Sequence, residues 1–302
     1  MATLKQLIEN IPSGTVHTVA VAAAADLFVL EAISMAIERK MAYFRLYDDE
    51  NAVTEMIEQS FPQLLGHPDI VLCHVNSQES AAQAAVTSVF KGESQILMKG
   101  QLATAVLLKA VLNRDYGLRT GSVMSQVAAF EVAGFDRLIF VTDAGMNISP
   151  NLTQKVQIIE NAVQVARSIG IVNPIVAPLA GVEVINPNMQ ATLDAAALTA
   201  MNQRGQIKNC IVDGPFALDN AISVDAAKNK QIAGNNAGKA DILLVPSIES
   251  GNILYKSLVF FSNAKVGSIV TGAKAPIVLS SRADSAESKL YSLALAIYSS
   301  LN

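Results

Sequence analysis

Two stretches decide the fold: Ile242-Leu243-Leu244-Val245-Pro246-Ser247-Ile248-Glu249-Ser250-Gly251-Asn252-Ile253-Leu254-Tyr255-Lys256 and Pro276-Ile277-Val278-Leu279-Ser280-Ser281-Arg282-Ala283-Asp284-Ser285. In each, an apolar run too short for a helix gives way to small polar residues and then to helical spacing. The pattern is strand, turn, helix, twice over. Ends of parallel strands are where α/β proteins place their chemistry. Here they offer backbone N–H groups, two cations (Lys256 and Arg282), hydroxyls and carboxylates with little bulk. That set suits a phosphorylated substrate.

Outward from these stretches the same alternation continues. Strands are predicted at residues 16–23, 43–47, 70–75, 95–98, 123–130, 138–142, 175–177, 209–212, 242–245, 268–270 and 277–279. Amphipathic runs lie between most of them. In residues 152–169, Val156, Ile159, Val163 and Ala166 share one face, and Ser149 is expected to cap this helix ahead of a first-turn Pro150. Such alternation argues an α/β fold with mostly parallel sheet. Turn formers at 143–150 and 272–276 suggest two domains. The first would comprise 1–141 plus 276–302, and the second 142–275 would be inserted into it. A C-terminal helix carrying Leu290, Leu293, Ile297 and Leu301 on one face would pack back on the first.

The chain has 302 residues, enough for a sizeable core, and a formal net charge of -4. That balance gives no footprint for nucleic acid or an anionic membrane. The apolar run 15–25 follows Glu9 and is closed by Asp26, too early for a membrane span, so a strand followed by a helix near Asp26 is expected in a soluble cytoplasmic protein. Cys73 and Cys210 both sit in strand-like runs, which predicts inert buried thiols. His17, His67 and His74 lack metal-ligand spacing, and satisfied histidines are expected, buried for His17 and His74. No P-loop, dinucleotide fingerprint or Gly-x-Ser-x-Gly elbow occurs.

Arg282, following a strand and two serines, has the planar fork that grips a phosphate bidentately. The competing reading is a helix start capped by Asp284 with Arg282 solvated. Gly251 allows a ligand to approach the backbone, Asn252 carries a donor and an acceptor, and Lys256 adds a charge one turn on. The competing reading is an ordinary turn. Lys99-Gly100 and Arg119-Thr120-Gly121 are further basic sites beside glycine at strand ends, and Asp143-Ala144-Gly145-Met146-Asn147 is a polar turn. Loop chemistry alone would account for all three.

Four segments occur in order: Asp213-Gly214-Pro215-Phe216-Ala217-Leu218-Asp219; Gly238-Lys239-Ala240-Asp241-Ile242-Leu243; Glu249-x-Gly251-Asn252-x-x-x-Lys256; and Ser281-Arg282-Ala283-Asp284-Ser285. Together they resemble the phosphate acetyl/butyryl transferase family over nearly the whole chain. Leu97-Met98-Lys99-Gly100, Gly117-Leu118-Arg119-Thr120-Gly121 and Ser281-Arg282-Ala283-Asp284-Ser285 most resemble its butyryl branch. The resemblance implies two α/β domains like those of isocitrate and isopropylmalate dehydrogenases, with the active site in the interdomain cleft. It also implies reversible transfer of a butyryl group between coenzyme A and inorganic phosphate.

That reaction fits the residues. Arg282, helped by Arg119 or Lys99, would hold the phosphoryl group, while Ser281 and backbone N–H groups would serve the oxyanion. Gly251, Asn252 and Lys256 would bind substrate. In the acetyl branch an aspartate seven residues after the serine is proposed as the base; here that position is Ser288, so Asp284 is the expected base, with Glu287 second. No metal or other cofactor is expected, since coenzyme A and phosphate are substrates. Direct transfer in a ternary complex is expected, because neither cysteine stands at a strand-end loop, and the enzyme is expected to be a homo-oligomer. A phosphate acetyltransferase, an acyl-carrier-protein:phosphate acyltransferase, a nicotinamide-dependent decarboxylating dehydrogenase and a non-catalytic coenzyme A- or phosphate-binding paralogue remain the alternatives.

Overall fold

The computed structural model describes residues 3–11, 17–280 and 284–301. Strands form at all eleven predicted places: β1 (Thr18–Ala22), β2 (Tyr43–Asp48), β3 (Ile70–His74), β4 (Ile96–Lys99), β5 (Ser125–Glu131), β6 (Ile139–Thr142), β7 (Ile175–Pro178), β8 (Ile211–Val212), β9 (Ile242–Leu244), β10 (Lys265–Thr271) and β11 (Ile277–Val278). The described pairings are parallel except β5 with β6 and β10 with β11. Every residue of β4 and β6 is buried. Strands covered on both faces read as unbroken apolar runs, which is why their positions could be read without alternation.

The chain divides into two compact units, residues 1–6 with 123–266, and residues 7–122 with 267–302. The divisions expected after 141 and 275 fall instead at 122/123 and 266/267. Strand pairing is the reason. β5 pairs with β6 through Ala128 and Val141, and β6 pairs with β9 through Phe140 and Ile242, so β5 cannot leave that unit. Likewise Val270 of β10 pairs with Ile277 of β11, which draws residues 267–275 to the other side.

In the unit of 7–122 and 267–302 the strand order is β3-β2-β1-β4-β11-β10. Asp26 caps helix Leu27–Glu38, its carboxylate accepting from Val29 N at 2.9 Å, as predicted. Helix Ala286–Ser300 is buried nearly all round, with Leu290, Leu293 and Ile297 at most 2% exposed, and it packs on helix Leu27–Glu38 and on β11. Leu301 lies beyond its end and is exposed. Its N-cap is Ser285, which accepts from Ser288 N at 3.2 Å, rather than Asp284.

In the unit of 1–6 and 123–266 the order is β5-β6-β9-β7-β8. Phe130, Val141, Leu243 and Val266 share its core, and Tyr255 of helix Ile248–Phe260 meets Phe130 edge-on at 5.1 Å. Helix Leu152–Ser168 starts two residues later than expected. Asn151 is its cap, accepting from Gln154 N at 3.0 Å while Gln154 accepts from Asn151 N at 2.9 Å. This reciprocal box satisfies two helix-end donors at once, which decides in its favour over Ser149.

Candidate functional site

Register gathers the strand ends of the unit containing 267–302. Ala22 pairs with Lys99, and Met98 with Val278, so β1, β4 and β11 end at one level. The turns beyond them carry Asp26, Gly100 and Ser280. A Cβ on Gly100 would stand 1.9 Å from the carbonyl oxygen of Ala23, so this approach admits only glycine. Lys99 is 4% exposed, and its ammonium donates to the carbonyls of Gly100 at 3.1 Å and Leu102 at 3.0 Å. It braces its own loop. Arg119 is exposed, and the chain on either side of it is tied to the turn after β10. Thr120 Oγ1 donates to Gly272 O at 2.6 Å, and Lys274 N donates to Leu118 O at 2.9 Å.

Ser281 and Arg282 lie outside the described residues. So does Ala283, whereas Ser280 and Asp284 are described. Ser280 is buried and Asp284 half-buried. Lys289, which sequence reasoning missed, is 3% exposed and donates to Ser280 Oγ at 3.2 Å. Burial draws its pKa down, opposed by the negative charges of Asp284 and Asp26. The signal was available: Lys289 lies four residues before Leu293 and eight before Ile297, on the stripe that should have been wholly apolar. Glu287 is exposed and accepts from Tyr291 Oη at 2.7 Å.

In the other unit, the turn after β6 is organised by one buried carboxylate. Asp143 Oδ1 accepts from the N–H groups of Gln126 (3.1 Å), Gly145 (3.0 Å) and Met146 (3.0 Å). Its Oδ2 accepts from Asn147 N (3.0 Å) and Nδ2 (2.6 Å). Helix Ile248–Phe260 rests on this turn. A Cβ on Gly251 would lie 2.8 Å from Asp143 O and 2.9 Å from Ala144 Cα. The glycine therefore serves helix packing here, where a ligand's approach had been expected. Asn252 and Lys256, four residues apart and both exposed, share the outer face of that helix.

Several residues that carry the family resemblance are structural. Asp241 accepts from Ile175 N at 2.8 Å, and Arg137 donates to the carbonyls of Gly238 and Ala240 at 3.3 and 3.2 Å. Burial raises the pKa of Asp241. Sequence reasoning also missed a buried ion pair, Lys155 Nζ to Asp194 at 2.6 Å, with Gln190 donating to the second oxygen at 2.8 Å.

Cys210 is buried, and burial pushes its thiol up to about 11. Cys73, on edge strand β3, is half-exposed rather than buried. His74 is exposed too, contrary to expectation, though satisfied: Nδ1 accepts from Glu50 N at 3.2 Å and Nε2 meets Asn76 Oδ1 at 2.7 Å. Among the described residues no group of three or more His, Cys, Asp or Glu is placed to hold a metal ion, and no helix is long and apolar enough to cross a membrane.

Residues 36–297 match the model of a family described as phosphate acetyl/butaryl transferase. The chain belongs to that family. As a phosphate acetyl/butaryl transferase it is similar to a Bacillus subtilis protein named probable phosphate butyryltransferase, 52% identical over 98% of each chain. It is also similar to a Thermotoga maritima protein named phosphate acetyltransferase, 48% identical over 97% of this chain and 98% of that one. Among solved structures, a branched-chain phosphotransacylase from Enterococcus faecalis matches with a TM-score of 0.83 and 35% identity, covering 94% of this chain and 99% of the other.

Proposed function

We propose that the chain is a phosphate butyryltransferase that moves a butyryl or similar short or branched acyl group reversibly between coenzyme A and inorganic phosphate. The observation that carries this reading is the full-length similarity to the Bacillus subtilis relative. The similarity to a branched-chain phosphotransacylase points to the same range of acyl groups.

The transfer requires three tasks. A phosphate must be held while its oxygen attacks the thioester carbonyl. We give this to Arg282, four residues after β11 in the sequence, with Arg119 from the loop tied down by Leu118 and Thr120. Lys99, whose ammonium donates to the carbonyls of Gly100 and Leu102, is assigned as a further helper at that end of the site. The developing oxyanion needs donors, and the Ser281 hydroxyl with local N–H groups supplies them. In the reverse direction the coenzyme A thiol must lose its proton, and Asp284 is assigned as base. Glu287 is the poorer candidate, since its carboxylate is hydrogen-bonded to Tyr291 and faces out. Gly251 contributes by seating helix Ile248–Phe260, while Asn252 and Lys256 on its outer face are assigned to substrate binding.

Direct transfer is favoured over an acyl-enzyme. Cys210 is buried with its thiol held protonated, and Cys73 stands on an edge strand. Exchange between a thioester and an acyl phosphate is redox-neutral, so the reading includes no cofactor beyond the two substrates. It also includes a cytoplasmic location, where coenzyme A thioesters are made and used. Self-association is part of it, supported by Ile253, Phe260 and Phe261, which are 66, 68 and 88% exposed.

The test is phosphate-dependent release of free thiol from acetyl-, propionyl-, butyryl- and isobutyryl-CoA. A butyryl or isobutyryl optimum that vanishes without phosphate is expected. An acetyl optimum would support the second reading, phosphate acetyltransferase, which the Thermotoga relative favours. Release from none of the four would refute both.

A further inference from the structure

We propose that Lys289 is a positioning residue of this transferase: its ammonium, inside the fold, holds Ser280 at the end of β11 and so fixes where the chain leaves the strand for Ser281 and Arg282. The inference rests on the acyl-transfer reading and deepens it.

The first argument is placement. Lys289 Nζ lies 3.2 Å from Ser280 Oγ, and Ser280 is the residue directly before Ser281. Both ends of this contact are buried, at 3% exposure each. An ammonium donating to a hydroxyl is a charge-assisted hydrogen bond, the stronger kind. The second argument is cost. Lys289 is the fourth residue of helix Ala286–Ser300, and a cation near a helix N-terminus opposes the helix dipole. Burial penalises its charge as well. Leu290, Leu293 and Ile297 show what the site accepts for stability alone. A lysine kept there has its charge balanced from two directions, by Asp284 on the strand-to-helix segment and by Asp26 at the cap of helix Leu27–Glu38.

Among the described residues, the other charged groups nearby are these. Lys99 of β4 is bonded to Gly100 and Leu102, Glu287 is bonded to Tyr291, and Glu31 and Glu38 lie on the exposed face of helix Leu27–Glu38. The Lys289 ammonium has its charge disfavoured by burial and favoured by the carboxylates of Asp284 and Asp26. Loss of its proton would loosen Ser280 and strip the counter-charge from Asp284. Burial lowers the lysine from its ordinary 10.5, so that loss falls within reach of a rate measurement.

The experiment measures kcat and KM for butyryl-CoA and phosphate from about pH 7.5 to about pH 10.5, a direction in which the thiol, titrating near ~8.5, is a product. The wild-type rate is expected to fall on the alkaline side below 10.5. Lys289→Met is expected to lose about 100-fold in kcat at neutral pH, the scale of a misplaced catalytic group, with a smaller change in KM, and its residual rate should lack the alkaline fall. Lys289→Arg should recover part of kcat and also lack the fall, because a guanidinium does not deprotonate in this range. A lysine that only supports the fold would lower the melting temperature in both variants and leave the alkaline fall in place. That result overturns the inference, as does wild-type kcat in Lys289→Met. A wild-type profile with no alkaline fall overturns it even where neither variant folds. Absence of phosphate-dependent turnover in the wild type removes the acyl-transfer reading and this inference together.

Discussion

Gly251→Ala separates two roles that the same glycine could have. In the interior of an ordinary helix the change removes backbone freedom from the unfolded chain and stabilises by about 1 kcal/mol. If Gly251 existed to let a ligand approach, that gain would appear in full, with activity lost. The structure predicts the opposite sign. The new methyl would stand 2.8 Å from Asp143 O, 2.8 Å from Val245 Cγ2 and 2.9 Å from Ala144 Cα. Two of these three neighbours are backbone, in a turn whose geometry is held by five donors on one carboxylate. The side chain of Val245 can rotate, but the turn cannot yield cheaply. Overpacking of this kind costs about 1–3 kcal/mol, and a rigid neighbour argues for the upper end. Set against the propensity gain, the net loss is about 2 kcal/mol, or roughly 4–8 °C in melting temperature for a unit of this size. Thermal unfolding followed by circular dichroism reads it directly. A melting temperature equal to or above wild type would refute the packing account of this glycine.

Further outcomes follow from the same geometry. Arg282→Gln should lower kcat/KM for phosphate by about 100-fold, and unchanged kinetics would remove it from the site. Asp284→Asn should slow the acyl-phosphate direction by about 100-fold while Glu287→Gln leaves it near wild type; the reverse pattern would exchange their roles. Asp194→Asn leaves Lys155 as an unbalanced buried cation and should destabilise by about 3–5 kcal/mol in urea unfolding, so a loss below about 1 kcal/mol would mean that the pair is open to water. With its thiol near 11, Cys210 is about one-thousandth ionised at pH 8, so a thiol reagent should titrate Cys73 quickly and Cys210 only on unfolding; two fast equivalents would contradict its burial.

Strands such as β4 and β6 were legible because each is a local run of apolar residues covered on both faces, and a local run needs no partner to be recognised. Asp26 was legible as a cap for the same reason: the carboxylate and the N–H it serves are three residues apart. What sequence could not supply was decided by residues far apart. The assignment of β5 to the unit of β6 and β9 depends on pairings such as Ala128 with Val141, made in three dimensions. Gly251 meets a turn more than a hundred residues earlier in the chain, so its purpose is invisible in its own segment. The motif Gly238-Lys239-Ala240-Asp241 signalled the family correctly, yet Asp241 and the carbonyls beside it are spent on Arg137 and Ile175. Lys289 broke an apolar stripe, a local clue that was present and passed over.

The discontinuous unit has a consequence for how the chain is made. β4 lies between β1 and β11, and β11 is contributed by residues 277–278. The helix that buries Leu293 and Ile297, and whose Tyr298 hydroxyl donates to Asn10 O at 2.6 Å, comes later still. During synthesis, β1 to β4 leave the ribosome first and must wait with one edge of β4 unpaired, while residues 123–266 already hold nearly all they need to close around Phe130 and Leu243. The usual N-terminal-first order of domain folding is thereby inverted. The half of the protein translated first is completed last, and nascent chains stalled before residue 277 present an open strand edge for a chaperone to cover.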